Sequence, residues 1–143
     1  MKTVNFIKSN KDAIIPDYAH KGDAGMDLYS CEDTTIEPME WKKVNTGLIM
    51  ELPKGTEGQV RTKSGIAFNY GVFVLNTPGT VDENYRGEIH GMIYSDNDED
   101  LEFKAGERLY SLYVFPVYHG ELEVVDELSE SNRGASWAGS SGK

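Results

Sequence analysis

Alternation of apolar and polar side chains is the main pattern along this chain, and it predicts strands rather than helices. From Val44 to Met50 every second side chain suits a half-buried face, and residues 88–94 alternate in the same way. Such runs are short and end at turns rich in glycine or proline. Many short strands with frequent turns predict an all-β sandwich or barrel. Further strands are predicted over residues 4–8, 23–30, 57–61 and 71–75, and the last of these is predicted to be buried.

Two predicted strands depart from simple alternation. The run from Leu109 to Tyr118 is largely apolar on both faces, which predicts a strand covered on both sides by the core or by a partner subunit. Pro116 indicates that this strand bends, or lies at a sheet edge, near its end. In the other strand Met26 and Leu28 flank Asp27, so a strand there directs the Asp27 carboxylate to the face opposite the core.

Residues 76–89 hold the first candidate site. Glu83 and Asn84 suit the two-residue loop of a tight hairpin, because Asn tolerates the positive φ that such loops often need. That loop would place Asp82 opposite Tyr85, with Cβ atoms roughly 5 Å apart. A carboxylate base beside an aromatic platform suggests a ligand site, and the alternative is an ordinary surface hairpin.

A second candidate site follows the strand that ends near Arg61. Two cations, Arg61 and Lys63, precede Ser64 and Gly65 in a sequence that is otherwise acidic. Ser64 is placed to cap a short helical turn through Asn69, which would leave backbone N–H groups free for an anion. The alternative is a solvated strand end.

An acidic segment at residues 96–100 resembles a calcium-binding loop. Asp96, Asp98 and Asp100 occupy alternate positions, but the sixth position holds Leu101 instead of the required glycine. The flanking segments also read as strands rather than helices. A solvated hairpin turn is therefore the preferred interpretation.

Composition limits the partners that this chain can have. It has 143 residues, enough for one domain with a sizeable core. Its 14 Lys and Arg against 24 Asp and Glu give a net charge of −10, which disfavours nucleic acid and anionic membranes as partners. Cys31 is the single cysteine, and no apolar run approaches the roughly 20 residues of a membrane span. We expect a soluble protein of a reducing, cytoplasmic compartment.

The last residues differ in composition from the rest of the chain. We predict a single β domain over residues 1–128 and a flexible Gly/Ser-rich C-terminal arm over residues 129–143. Arg133, Trp137 and three of the serines in the arm suit closure over a phosphate-bearing ligand, and the alternative is a disordered tail.

Taken together, separated segments resemble the five ordered motifs of the trimeric deoxyuridine triphosphatase (dUTPase) family. The resemblance spans nearly the whole chain, and residues 75–82 are almost unaltered from the family pattern. The segments are residues 24–28, 62–67, 79–89, 106–109 and 133–142.

The resemblance implies a distorted jelly-roll fold of the β-clip type and a homotrimer with active sites at the subunit interfaces. Each site would draw its motifs from all three chains, and the C-terminal arm would close over one. The implied reaction is the hydrolysis of dUTP to dUMP and pyrophosphate with Mg²⁺.

The resemblance also assigns the nucleoside-binding residues. Asp82 would be the general base that activates the attacking water, and Tyr85 would stack on the deoxyribose, leaving no space for a 2′-hydroxyl. Asn76, with the backbone at Gly79 and Val81, would read the uracil edge. An amide suits this role because it offers both a donor and an acceptor.

The remaining assignments lie around the phosphates. Asp27 would act in catalysis by orienting waters around a Mg²⁺ held mainly by phosphate oxygens. The residues assigned to the phosphate chain and its terminal group are Lys63, Ser64, Gly65, Arg133, Ser140 and Ser141.

Three positions depart from the family pattern, and all concern the phosphates or the arm. Lys63 stands where the family usually has Arg, which exchanges a bidentate fork for a point charge. Ser111 stands in place of a Gln, so that contact with the metal site would need a bridging water. Ala138 stands in place of the Phe that covers the uracil, and we hypothesise that Trp137 takes over as the lid.

These departures leave three alternatives to an efficient dUTPase. The first is a regulatory trimer that binds dUTP, turns it over slowly and acts through a protein partner. The second is an enzyme of the related dCTP deaminase branch, which the uracil-type motif disfavours. The third is a purely structural β trimer.

Overall fold

The computed structural model describes residues 3–135, and its regular secondary structure consists almost entirely of strands. One short helix, α1 (Ser64–Tyr70), interrupts them. The strands are β1 (Asn5–Lys8), β2 (Met26–Tyr29), β3 (Thr34–Ile36), β4 (Trp41–Glu51), β5 (Thr56–Thr62), β6 (Val72–Val74), β7 (Gly79–Val81), β8 (Glu88–Ser95), β9 (Leu101–Phe103) and β10 (Arg108–Pro116).

The strands form two four-stranded sheets and one two-stranded sheet. The first sheet has the order β1-β4-β8-β6, the second has the order β2-β10-β5-β7, and β3 pairs with β9. All of these pairs are antiparallel. The predicted all-β class is therefore confirmed.

The core lies between the two large sheets. Leu48 and Ile93 come from the first sheet and Leu28 and Leu112 from the second, and each is at most 1% exposed. Strand β8 follows strict alternation, with every second residue buried, as the sequence predicted. Tyr110 is also fully buried in this core, and its hydroxyl group needs a hydrogen-bond partner there.

Tyr110 joins the two sheets through its hydroxyl group. The hydroxyl donates a hydrogen bond of 3.1 Å to the backbone carbonyl of Val44 in β4. Burial raises the pKa of the Tyr110 phenol far above its usual range, so the group stays neutral. The buried polar end is thus satisfied across the core.

Strand β10 has buried residues on both faces partly because its pairing register shifts. Between Arg108 and Tyr110 the pairing with β2 is irregular, and consecutive residues Leu109 and Tyr110 are both buried. Further along, Tyr113 and Phe115 are half-buried on the outer face. The strand ends at Pro116, which pairs with Thr56, two residues before the predicted end at Tyr118. In the sheet β10 lies between β2 and β5, and only its last residues pair with β5 alone.

A substitution at Gly91 tests how tightly this core is packed. A Cβ at Gly91 would lie 2.6 Å from Cζ of Tyr110 and still closer to Cε1. Because the Tyr110 ring is fully buried and tied to Val44, Gly91→Ala is expected to lower the free energy of unfolding by about 1–3 kcal/mol. Denaturant unfolding at matched protein concentration measures this.

Gly120→Ala is the matched control for Gly91→Ala. A Cβ at Gly120 would meet only a Tyr118 ring carbon at 3.7 Å, which is an ordinary contact. Equal unfolding free energies for the two variants would contradict the packing argument.

Two details of the sequence-based strand assignment are wrong. The segment at residues 96–100 joins β8 to β9, and these strands belong to different sheets, so it is not a hairpin turn. In β6, Val72 and Val74 are buried whereas Phe73 is 37% exposed, so this strand buries one face only. Phe73 instead packs on Tyr94 of β8, with ring centroids 5.2 Å apart.

After β10 the described part of the chain has no further strand or helix. The backbone N–H of Val117 donates to the carbonyl of Gly55, and the following residues up to 135 are exposed. The domain boundary at residue 128 and the role of the arm stay predictions. Within residues 3–135 no helix has the length and apolar character needed to cross a membrane.

Candidate active site

Residues 82–85 form a β-turn, but not the predicted hairpin. The N–H of Tyr85 donates to the carbonyl of Asp82 at 3.0 Å, so Glu83 and Asn84 are the central residues of the turn. The flanking strands do not pair with each other, because β7 pairs with β5 and β8 pairs with β4 and β6. The turn lies at the predicted residues, but Asn84 does not adopt the positive φ expected of a hairpin loop, and the predicted pairing of Asp82 with Tyr85 across a hairpin is wrong.

The turn is held in place by Arg86. Its Nη1 donates to the carbonyls of Glu83 and Tyr85, both at 2.9 Å, and its Nη2 lies 3.2 Å from Oε1 of Glu51. The Asn5 amide and the Arg86 charge lower the pKa of Glu51. These groups are exposed, so their effect is to fix the turn geometry rather than to add much stability.

A cavity of about 230 Å³ lies beside this turn. Asp82 and Tyr85 both line it, so they do border one space despite the different strand pairing. Asn76, Gly79 and Val81 line the same cavity, which brings together the predicted nucleoside-binding residues of this segment. Sequence reasoning did not single out two other lining residues, Glu88 and His90, because alternation alone marks both as ordinary strand positions.

Gly79 allows the Asn76 amide to lie close to the backbone of β7. A Cβ at Gly79 would lie 3.3 Å from Nδ2 and 3.4 Å from Oδ1 of Asn76, closer than most real Cβ contacts. Asn76 also lines the cavity, and its side-chain amide has one group that can donate and one that can accept a hydrogen bond. A side chain at position 79 would require the Asn76 amide to shift by a few tenths of an ångström.

A second group of predicted residues surrounds Asp27. The Asp27 carboxylate is almost fully buried, and its two oxygens bind different cations. Oδ1 lies 2.5 Å from Nζ of Lys63, and Oδ2 lies 3.2 Å from Nη1 of Arg108. Ser111 is directly opposite Asp27 in the β2–β10 pairing. Lys63 and Asp27, which are far apart in sequence, are thus brought together.

Sequence reasoning gave Arg108 no role, although it lies in one of the five motif segments. Together with Lys63 and Gly65 it lines a second cavity of about 460 Å³. The sequence feature that could have indicated a role for Arg108 is its position at the start of an apolar strand. Its contact with Asp27 depends on strand order and on the register shift in β10, neither of which the local sequence specifies.

Ser64 does not cap the helix as predicted. Lys63 is the N-cap residue, with φ −73° and ψ 127°, and Ser64 is the first helical residue. The carbonyl of Lys63 accepts hydrogen bonds from the N–H groups of Ile66 and Ala67, which fixes the start of α1 at this point. Gly65 lies against open space, since a Cβ there would meet no atom within 4 Å.

One chain does not bring its two groups of predicted site residues together. Asp27 lies in β2 and Asp82 follows β7, and these strands are the two edges of one sheet. Three strand spacings separate them by roughly 14 Å, before the offset along the strands is added.

The other predicted contacts lie beyond these two groups. Arg133 is exposed in the segment after β10. Trp137, Ser140 and Ser141 lie outside the described residues. Within residues 3–135 no cluster of three or more His, Cys, Asp or Glu side chains is arranged to hold a metal ion.

Comparison with known proteins agrees with this architecture. A family model described as dUTPase matches residues 11–142. The deoxyuridine 5′-triphosphate nucleotidohydrolase of Clostridioides difficile is 49% identical over 135 residues, covering 94% of each chain. The enzyme of the same name from Nautilia profundicola is 46% identical over 136 residues, covering 95% of this chain and 96% of that one.

A solved structure extends the agreement to the fold. The dUTPase of Staphylococcus bacteriophage 80alpha, solved with dUPNHPP, has a TM-score of 0.91 and 27% identity, and the match covers 99% of both chains. This match confirms the predicted dUTPase-like jelly-roll fold. Because the family model covers nearly the whole sequence and two relatives exceed 45% identity, the chain belongs to the dUTPase family.

Proposed function

We propose that this protein is a dUTP diphosphatase, which hydrolyses dUTP to dUMP and pyrophosphate by attack of water on the α-phosphate. The observation that carries the proposal is the single cavity lined by Asp82, Tyr85 and Asn76. Family membership supplies the reaction class, and the relatives from Clostridioides difficile and Nautilia profundicola carry the corresponding name.

Asp82 is proposed as the general base. Its side chain is exposed at the rim of the cavity, where an attacking water has access. Its backbone carbonyl, not its carboxylate, closes the turn, so the carboxylate is left to accept a proton. General base catalysis by one positioned group contributes about 10²–10⁴ in rate.

The rest of the cavity suits uracil on a deoxyribose. The Asn76 amide supplies a donor for O4 and an acceptor for N3–H, a pattern that cytosine reverses. Gly79 and Val81 also line the cavity, and their backbone would exclude a methyl group on the base. Tyr85 would stack on the sugar.

The phosphates are proposed to bind at the second cavity. Lys63 and Arg108 supply positive charge there, and Asp27 holds both cations in position. Ser64 and Gly65 would offer backbone N–H groups at the start of α1, where Gly65 leaves open space for close approach. Arg133, Ser140 and Ser141 of the arm would hold the terminal phosphate, and Trp137 would cover the uracil.

The residues present fit Mg²⁺ held through water and phosphate. Both oxygens of Asp27 already bind cations, so this carboxylate suits water-mediated rather than direct coordination. Ser111, opposite Asp27, is the other proposed water-mediated contact. When bound, Mg²⁺ supplies positive charge against the charge that develops on the phosphates.

A homotrimer with shared sites is proposed because the two halves of the site lie far apart within one chain. The Asp27 and Asp82 groups lie at opposite edges of one sheet, so a second copy is needed to bring a phosphate cavity to a nucleoside cavity. Arm residues from a further copy would complete the site. A cytoplasmic location and the lack of nucleic-acid or membrane partners stay predictions from charge and composition.

The direct test is pyrophosphate release from dUTP, dCTP, dTTP and UTP in parallel, with and without Mg²⁺. We expect release from dUTP alone, and faster release with Mg²⁺. Release from all four nucleotides at similar rates would contradict the assigned base and sugar recognition. Conversion of dCTP to a uracil nucleotide, detected by chromatography, would instead support the deaminase alternative.

A regulatory role is the second candidate. The structurally similar phage 80alpha dUTPase is described as controlling the transfer of virulence genes. A regulatory trimer of the present chain would bind dUTP tightly and turn it over slowly. Comparing the turnover number with the affinity for a non-hydrolysable dUTP analogue separates the two functions.

A further inference from the structure

The ring of Tyr85 lies directly against the backbone of Gly87. A Cβ at Gly87 would lie 2.9 Å from Cε2 of Tyr85 and still closer to Cζ and the hydroxyl oxygen. Real Cβ atoms do not approach other atoms so closely. Any other residue at position 87 would therefore occupy the space in which the outer half of the ring now lies.

The backbone conformation of Gly87 does not itself require glycine. Its φ lies outside the left-handed region that favours glycine, unlike that of Gly47 or Gly71. Alanine at position 87 would thus be unstrained as a backbone. The three atoms nearest to a Cβ at this position all belong to the Tyr85 side chain, which is therefore the main steric reason for glycine there.

The tip of the ring is fixed by a second contact. The Tyr85 hydroxyl donates to the carbonyl of Glu88 at 3.2 Å. The side chain of Glu88 is itself anchored, since Oε1 accepts from the N–H of Gly47 at 3.1 Å and Oε2 from the hydroxyl of Ser9 at 2.7 Å. The outer end of the ring therefore lies against Gly87, and its hydroxyl group is held by an anchored strand residue.

We propose that Gly87 is a positioning residue that sets how far Tyr85 reaches over the sugar, and so determines discrimination between deoxyribose and ribose. The inference rests on the proposed stacking of Tyr85 on the sugar. A stacked ring excludes a 2′-hydroxyl only if the ring cannot move away from the sugar. Because Tyr85 is 41% exposed, burial does not fix its position, and specific contacts must do so. The carbonyl of Glu88 supports the same position.

Alanine at position 87 would displace the ring while leaving the fold intact. The atoms that it meets are the far end of an exposed side chain, which can swing towards solvent at little cost. The hydroxyl would then leave the carbonyl of Glu88, and space would open beside the 2′ position. Displacements of about 1 Å at a site can change rates by up to about 100-fold.

The test compares kcat/KM for dUTP and UTP in Gly87→Ala and in the unchanged protein. We expect the dUTP-to-UTP ratio to fall about tenfold, with the melting temperature nearly unchanged. Gly120→Ala is the matched control, because a Cβ there meets only an ordinary contact, and its ratio is expected to stay constant. An unchanged ratio in Gly87→Ala would overturn the inference.

A double-mutant cycle separates action through Tyr85 from a direct structural effect. In a Tyr85→Ala background, Gly87→Ala is expected to leave the ratio unaltered, because the ring that it displaces is absent. An equal loss in both backgrounds would show that Gly87 does not act through the ring.

Binding of dUMP and UMP, measured by calorimetry on the same variants, makes the comparison without hydrolysis. If the unchanged protein binds dUMP selectively but hydrolyses nothing, the proposed function fails while the role of Gly87 is still tested. If selectivity for dUMP persists in Gly87→Ala, the inference fails while the proposed function stands.

Discussion

Asp82→Asn is expected to lower the turnover of dUTP by about 10²–10⁴-fold while leaving nucleotide affinity nearly unchanged. The amide has the shape of the carboxylate but cannot take a proton from the attacking water. The turn is closed by the backbone carbonyl of Asp82, so the substitution removes no structural hydrogen bond of that turn. Pyrophosphate release gives kcat, and calorimetry with a non-hydrolysable dUTP analogue gives the affinity.

The control for this experiment is Asp98→Asn. Asp98 is also an exposed loop carboxylate, and it lines neither of the two cavities. Its removal changes the net charge by the same amount, so any general electrostatic effect appears in both variants. Equal turnover numbers for Asp82→Asn and the unchanged protein would exclude Asp82 as the base.

Asp27→Ala is expected to lower kcat/KM for dUTP by about 100-fold. Lys63 and Arg108 share this carboxylate, and without it two like charges lose the group that fixes their positions. Their side chains are 29% and 53% exposed, so both can turn towards water. No charge is left buried and unpaired, and the loss of folding stability should be small. Steady-state kinetics and thermal unfolding measure the two effects separately.

Mixing the two defective variants tests whether the site is shared between copies. If Asp82→Asn and Asp27→Ala chains are unfolded and refolded together in equal amounts, about a quarter of interface sites should contain both intact residues. Activity should then rise well above that of either variant alone. Activity that does not rise on mixing would indicate that each chain completes its own site.

Sequence patterns predicted the strands better than their pairing. The alternation in β8 follows from its position against the core, which a local pattern records directly. The turn at Glu83 and Asn84 was also local and was found where expected. Whether the strands on either side of a turn pair with each other depends on competing partners elsewhere, here β5 for β7 and β4 and β6 for β8. No local pattern contains that information.

The site residues also divide into those that are close in sequence, which could be predicted together, and those that only the fold brings together. Asp82, Tyr85 and Asn76 lie within ten residues of each other, in the segment 76–89 that was predicted to hold a site, and they line one cavity. The cation cluster joins Asp27, Lys63 and Arg108 from three separate elements. Resemblance to the family pointed to Asp27 and Lys63 as site residues. It did not indicate the salt bridges that Asp27 forms with Lys63 and with Arg108, which arise from the order of β2, β10 and β5.

The turn at residues 82–85 connects one sheet of the sandwich to the other, and this has a consequence for selectivity. The wall formed by Gly79 and Val81 belongs to one layer, whereas Glu88, which supports the Tyr85 ring, belongs to the opposite layer. The width of the nucleoside cavity is therefore tied to the spacing between the layers. Conditions that loosen the interior, such as mild denaturant, should relax the choice between nucleotides before the chain unfolds.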